Sequence, residues 1–324
     1  MSSTSRPPSS QLRSQVNDLR SMTWRWLSFT HVWIAIGAYT TTLLSGVWSV
    51  QRPPWDAESI AIATWVALST GLGYSVQRAI KHAKHPQNMP SLRQQFWNVH
   101  GRRMLVGWGV LWVTFNLCFF EELQWDRPER QGTVALLGLA SLAYSLVPGF
   151  EGGLRRVVWL KVPLIAGVWA TATTLHPEVS FDPLIWAQRF VFIASLTLPF
   201  DIRDLDVDAH HIQTWASIKS PAWVLRMSRL GMLISAGMCA AAAAASWAHG
   251  ATSVVGPLVC FAQSTWAWRL LQDSPALTVL GSGEEQVKER FAGWTLDGVL
   301  ALPLWPLLAL WLMTKMGAFE VWLW

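Results

Sequence analysis

Charged side chains are scarce in this chain: Asp, Glu, Lys and Arg make up 14% of its 324 residues, where a soluble domain carries roughly a quarter. The shortage is sharpest from Ser59 to Phe120, a stretch without one acidic residue. So few solvating groups exclude an ordinary water-facing surface, and 52% of the residues are apolar, with a mean hydropathy of +0.27. Tyrosine is nearly missing, with 3 residues against 23 tryptophans. Indole rings favour the half-wet headgroup level of a bilayer, so the imbalance points to an integral membrane protein. Cysteine is limited to Cys118, Cys239 and Cys260, all in apolar stretches. An odd number of lipid-buried thiols excludes a disulfide framework or a cysteine metal site. The first 20 residues are polar, rich in Ser and Arg, with no apolar core of their own, so no cleavable signal peptide is expected.

What is present is a succession of apolar stretches. Spanning the hydrocarbon takes about 20 mostly apolar residues, and nine stretches qualify: 27–47, 58–77, 104–120, 133–149, 157–175, 183–200, 229–247, 251–271 and 293–314. The expected fold class is therefore an all-α integral membrane protein, a nine-transmembrane-helix bundle. It divides into a tail over 1–26 and a single membrane domain over 27–324. In the tail, Leu12, Val16, Leu19, Met22 and Trp26 recur at helical spacing among polar residues, the pattern of a helix lying in the interface. The run Ala240 to Ala245 would permit close helix approach. Pro257, Pro303 and Pro306 fall inside spans and should kink them.

Cytoplasmic loops retain Lys and Arg. With the N-terminus inside, the inner segments hold Arg6, Arg13, Arg20 and Arg25; Arg78, Lys81, Lys84, Arg93, Arg102 and Arg103; Arg155, Arg156 and Lys161; Arg203, Lys219, Arg226 and Arg229; and Arg269, Lys288 and Arg290. The outer segments hold only Arg52, Arg127, Arg130 and Lys315, and Arg189 lies within the sixth span, where it should snorkel outward. The split sets the N-terminus in the cytoplasm and the C-terminus outside, and any function facing inward. The net charge of +5 does not argue for a nucleic-acid partner, because the cations sit in short loops between apolar spans.

The most informative stretch follows the sixth span: Asp201-Ile202-Arg203-Asp204-Leu205-Asp206-Val207-Asp208. Four carboxylates in eight residues at a membrane edge are costly unless a cation binds them. If the sixth helix continues past Pro199, Asp201, Asp204 and Asp208 fall within about 60° of one another while Asp206 points away. Such a face suits Mg²⁺, which commonly bridges one or two carboxylates to substrate phosphates. The alternative is an acidic loop paired with neighbouring Arg and Lys; spacing alone leaves both open.

This string resembles the second aspartate-rich motif of the UbiA-type intramembrane prenyltransferases, which follows their sixth helix. Tyr144-Ser145 followed by Arg155, Arg156 and Lys161 is similar to that family's Tyr-then-basic loop between helices four and five. The stretch from Leu154 through Lys161 to Trp169 is similar to a bacterial branch of the superfamily, which would place the protein in a plasma membrane. The resemblance implies that Asp201, Asp204 and Asp208 hold Mg²⁺ against a prenyl diphosphate, with Arg155, Arg156, Lys161 and Arg203 on diphosphate oxygens. It implies Mg²⁺-dependent prenyl transfer to an aromatic or lipid acceptor, with the chain in an apolar tunnel.

The family's first aspartate-rich motif, at the end of its second helix, is absent. Tyr74-Ser75-Val76-Gln77-Arg78-Ala79-Ile80-Lys81 stands there instead. Three readings follow. Arg78 and Lys81 clamp the diphosphate directly in place of one metal, since a guanidinium matches phosphate geometry. Or the protein binds a lipid or phosphorylated ligand without reacting it. Or it is a non-catalytic member with a role in assembly. A transporter fits less well, because ionisable residues are rare at mid-depth and no paired interrupted helices mark a midplane site. His210 and His211 follow the acidic motif but project in different directions, and no histidine pair suits haem. Asp297, near the inner end of the ninth span, is either exposed there or turned toward the cavity.

Overall fold

A computed structural model of the protein describes residues 23–49, 55–84, 92–147, 153–175, 181–205, 213–248, 254–272 and 290–315. Among these residues there is no β-strand. Eight α-helices of 16 residues or more are followed by a broken helical segment. They are α1 (Val32–Ser49), α2 (Ala57–Lys84), α3 (Leu92–Cys118), α4 (Pro128–Ser145), α5 (Val158–Thr173), α6 (Pro183–Arg203), α7 (Pro221–Ala248) and α8 (Val255–Gln272). The broken segment, α9, consists of a π-helical turn (Phe291–Leu296) and α-helical pieces Asp297–Ala301 and Leu304–Lys315. A short helix, Thr23–Phe29, leads into α1 across a 66° bend.

Each apolar stretch expected from the sequence overlaps one of these elements. Four are long and apolar enough to cross a membrane: Ala57–Ala83, Pro183–Arg203, Pro221–Ala248 and Phe291–Met313. A fifth is added if Thr23–Phe29 and Val32–Trp48 act as one bent span. Length and hydropathy alone thus carry fewer than nine crossings. The reasons are local: α3 carries Arg102, Arg103 and Asn116 in its apolar part, α4 has Glu129 in its first turn, α5 has 16 residues, and α8 carries Gln263, Arg269 and Gln272. The interfacial helix expected in the tail lies outside the described residues up to Met22.

Neighbours in sequence pack against each other, most extensively α6 with α7, α7 with α8, α1 with α2 and α5 with α6, and α9 returns to α1. The outer surface is apolar: Leu117 of α3, Leu136 and Leu139 of α4, Trp247 of α7, Trp266 of α8 and Trp305 of α9 are all exposed. A continuous apolar exterior of this kind suits lipid rather than water.

Polar groups inside the bundle answer to the backbone. Pro199 of α6 has no N–H for the carbonyl of Ser195, and the hydroxyl of Ser228 on α7 donates to that carbonyl instead at 2.5 Å. Pro303 likewise leaves the Val299 carbonyl, which accepts from Gln263 Nε2 of α8 at 2.8 Å. Where lipid offers no water, such substitutions are what make proline tolerable in a span. Pro303 interrupts α9 as expected. Pro257 does not kink α8: it is the third residue of that helix, where a missing N–H costs nothing.

Two further expectations need correcting. The alanine run does not mediate packing, since Ala240, Ala241, Ala244 and Ala245 are exposed and only Ala242 is well buried. Close approach occurs at Gly256, where an added Cβ would lie 2.7 Å from the backbone of Trp48 in α1. Arg189 does not snorkel. It is 0% exposed, its Nε donates to Ser45 Oγ at 3.0 Å, and its terminal nitrogens make no hydrogen bond. It lies within electrostatic reach of the buried thiols Cys239 and Cys260.

Replacing Ser228 by Ala should leave the Ser195 carbonyl buried and unpaired, lowering stability by about 1–3 kcal/mol. Thermal unfolding of the detergent-solubilised protein measures this, and an unchanged melting temperature would remove the assigned role of the hydroxyl.

Candidate functional site

Polar residues converge on one end of the bundle. They come from the N-terminal ends of α1 (His31), α5 (Lys161) and α9 (Asp297) and from the C-terminal ends of α2 (Tyr74, Lys81), α4 (Tyr144) and α6 (Asp201, Arg203), as an alternating helix order requires. The centre of this cluster is a buried ion pair. Lys161 Nζ lies 2.5 Å from Asp201 Oδ1, with the side chains 12% and 1% exposed. The second oxygen, Asp201 Oδ2, accepts from the backbone N–H of Trp215 at 3.2 Å. That N–H is held in place by a one-turn helix, Trp215–Ile218, closed at its start by reciprocal bonds between Thr214 and Ser217.

Asp204, which caps α6, has both oxygens on its neighbour: Arg203 Nε at 2.7 Å and a terminal nitrogen at 3.0 Å. The Arg203 guanidinium also lies over the Phe200 ring, 4.8 Å from its centroid. Burial opposes ionisation of Asp204, but Arg203 beside it, with Lys161 and Lys81 in reach, holds the carboxyl well below the usual carboxylate range. A group with a depressed folded value stabilises the protein above its ordinary value of 3.8 and loses that contribution only as pH falls through the folded one. Asp204 is therefore ionised across the neutral and mildly acid range.

Tyr144 connects the charged cluster to a cavity. It lies within electrostatic reach of Lys161, Arg155, Asp204 and Asp201, and it lines an apolar cavity of about 410 Å³ between α2, α3, α4 and α5. Along α2 the lining runs from Trp65 to Ile80, a length of about 22 Å at 1.5 Å per residue. Polar atoms along the wall are mostly spoken for: Trp112 Nε1 donates to Ser69 Oγ at 2.9 Å and Thr70 to the Val66 carbonyl at 2.7 Å. Tyr74 and Gln77 join Tyr144 at the polar end, and Tyr74 lies within reach of Asp297, Tyr144 and Arg203.

Gly153 fixes the approach of the Arg155 turn. It adopts φ +66°, and a Cβ there would meet the Tyr144 carbonyl oxygen at 2.6 Å. The 3-10 turn Gly153–Arg156 then carries Arg155 to the Tyr144 end of the cavity, where its Nε is buried without an acceptor. Arg156 on the same turn is exposed.

Lys81 lies a further turn along the face of Tyr74 and Gln77 and within reach of Asp204. Arg78 instead lies within reach of His31, as does Arg93. Sequence reading missed His31. It sits at the bend before α1 with φ 65°, buried, with Nδ1 3.1 Å from Ser75 Oγ and its ring 5.7 Å from that of Tyr74. Only its place at a span end hinted at it. Asp297, immediately after the π-helical turn, lies within electrostatic reach of Tyr74.

Asp206, Asp208, His210 and His211 lie outside the described residues. Among the described residues, no group of three His, Cys, Asp or Glu is arranged to hold a metal ion. Of the two described carboxylates of the motif, Asp201 is 1% exposed with both oxygens engaged, whereas the Asp204 side chain is 32% exposed beside Arg203.

The architecture is that of a helical integral membrane protein, and comparison with solved structures gives its fold. The chain matches the structure of a UbiA homolog from Archaeoglobus fulgidus bound to GPP and Mg²⁺, with TM-score 0.57 and 11% sequence identity, over 88% of this chain and 99% of that one. The chain has the UbiA-type prenyltransferase fold. No family model and no curated protein matches its sequence.

Asn at position 201 would leave Lys161 charged and buried without its counter-ion. Asp201→Asn should cost about 3–5 kcal/mol in the absence of any ligand. Asp201→Asn combined with Lys161→Met should recover part of the loss, as coupled neighbours do. Denaturant unfolding of the three variants is the measurement; additive losses would show that the two groups are not coupled.

Proposed function

We propose that this protein binds a prenyl diphosphate, with the prenyl chain in the cavity and the diphosphate at the Tyr144 end, and transfers the prenyl group to an aromatic or lipid acceptor. The observation that carries this reading is the meeting of an elongated apolar cavity with a cationic cluster through one residue, Tyr144. An amphiphile with a long apolar tail and a multiply anionic head matches that arrangement. The fold likeness to a homolog bound to GPP and Mg²⁺ supports the same ligand class. The expected nine-span topology supports a mouth on the cytoplasmic side, since the cations of the cluster lie in segments retained there.

In this reading the allylic C–O bond breaks with its electron pair passing to the diphosphate. The acceptor supplies the pair for the new C–C or C–heteroatom bond and releases its proton at the wet mouth. Lys81, Arg155, Lys161 and Arg203 favour the departing charge. Trp65, Trp112 and Trp169 line the cavity, and their ring faces favour a developing allylic cation while the apolar wall keeps water away. Arg78 and Arg156 belong to the surrounding positive field that draws the ligand in.

A second reading, binding without transfer, is favoured by the missing first acidic motif and by the ion pairs that Asp201 and Asp204 make with Lys161 and Arg203. The two are separated by assaying release of diphosphate from farnesyl or geranylgeranyl diphosphate against aromatic and lipid acceptors. Transfer predicts release only with an acceptor; ligand binding with no release selects the second reading. Gly138 lines the cavity, and a Cβ there meets nothing within 4 Å. Gly138→Phe should fill the cavity without lowering the unliganded melting temperature. It should weaken farnesyl diphosphate at least tenfold, about 1.4 kcal/mol, while inorganic diphosphate is unaffected. Equal binding of farnesyl diphosphate to both proteins would place the chain elsewhere.

A further inference from the structure

We propose that the cavity measures the prenyl chain, with Trp65 as its end stop, so that the protein takes a short-chain diphosphate of three five-carbon units and rejects long polyprenyl diphosphates. This rests on the prenyl diphosphate reading above and names which members of that class the site accepts. Helix direction places the blind end. α2 and α4 reach the polar mouth with their C-terminal ends and α5 with its N-terminal end. Trp65 near the start of α2, Val134 in α4 and Ala172 near the end of α5 are therefore the lining residues farthest from Tyr74 and Tyr144. Trp112 of α3 joins them, since its indole N–H reaches Ser69, one turn from Trp65.

This end is built to stay shut. Trp65 is 7% exposed, and its Nε1 donates to Asn116 Oδ1 of α3 at 3.2 Å. Asn116 is held in turn, its Nδ2 donating to the Trp112 carbonyl at 2.7 Å. The connection between α3 and α4 backs the indole. Its Trp125 ring stands edge-on to Trp65 with centroids 5.5 Å apart, and its Leu123 is 2% exposed in the same core. An edge-to-face pair of this kind adds to the area it buries. The connection is itself tied down: Gln124 Nε2 donates to Glu58 Oε1 of α2 at 2.5 Å, and Arg130 of α4 donates to the Leu123 carbonyl. The length in front of the stop follows from α2, which rises about 14 Å from Trp65 to Tyr74 and about 18 Å to Gln77, at 1.5 Å per residue. An extended prenyl chain advances about 5 Å per five-carbon unit, from four carbon–carbon bonds of about 1.5 Å in zigzag. Three units fill the space between the stop and the polar end, and a fourth overruns it.

The test is binding of geranyl, farnesyl, geranylgeranyl and solanesyl diphosphate to the purified full-length protein in detergent with Mg²⁺, by calorimetry. Farnesyl diphosphate should bind at least about tenfold tighter than geranyl diphosphate, because its third unit removes further apolar surface from water. Geranylgeranyl diphosphate should gain nothing more, and solanesyl diphosphate should bind at least about tenfold more weakly than farnesyl, since most of its chain has no room. Two variants move the stop in opposite directions. Trp65→Ala should lengthen the cavity and shift the preference to geranylgeranyl diphosphate. Ala172→Leu should shorten it, weakening farnesyl diphosphate at least about tenfold while geranyl diphosphate is unaffected. Trp65 belongs to the core, so melting temperatures are measured for both variants, and Ala172→Leu, which adds bulk to the cavity rather than removing it from the core, decides the question if Trp65→Ala does not fold. Affinity that keeps rising through solanesyl diphosphate, or an unchanged length preference in Ala172→Leu, overturns the end stop while leaving the prenyl diphosphate reading intact. No binding at any chain length overturns both.

Discussion

A charge taken out of water must meet its partner, and the arrangement at the Tyr144 end of this bundle follows from that constraint. Lys161 and Asp201 approach from α5 and α6, and neither position is tolerable in the membrane without the other. Their pairing fixes the relative depth of the two helices. Through the second oxygen of Asp201 it also fixes the loop that carries Trp215, whose ring packs edge-on against Trp159 and stacks with Trp223. The mouth of the cavity is thus organised around one ion pair, and the exposed residues beside it inherit their positions.

The interior obeys the same accounting for the backbone. Prolines in α6 and α9 each release a carbonyl, and a hydroxyl or amide from a neighbouring helix takes it up. Helices without water to fall back on become specific for one another this way. The cavity is the exception that the packing permits. Small residues such as Gly73, Gly138 and Ala140 line it, and its wall hydroxyls at Ser69 and Thr70 are already occupied. What remains is a long, mainly apolar space with Tyr74, Gln77 and Tyr144 at one end.

Much of the fold was legible in the sequence because its signals are periodic or compositional. Apolar runs of spanning length, the segregation of Lys and Arg, and the continuation of α6 past Pro199 to Arg203 are properties of a single segment. The spacing of Asp201 and Asp204 gave their common origin on one helix end. It could not give what faces them, because helical spacing sets an angle around one axis and says nothing of the neighbour across it. Lys161 is forty residues away from its partner Asp201. For the same reason the spacing of Arg78 and Lys81 could not give His31 near the one or Asp204 near the other. His31 was invisible because its role depends on a backbone bend, and Arg189 was misread because its position near a helix end suggested an escape that packing denies.

Arg189 has a consequence for how the chain is assembled. A lone arginine in an apolar helix costs up to about 2.5–3.5 kcal/mol on insertion scales, the figure for the helix centre. Its hydrogen-bond partner, Ser45, belongs to α1 and is made long before α6 emerges. The thiols beside it belong to α7 and α8 and are made afterwards. The guanidinium is therefore enclosed only where α1, α6, α7 and α8 all meet, so that one charge ties together segments from both halves of the chain.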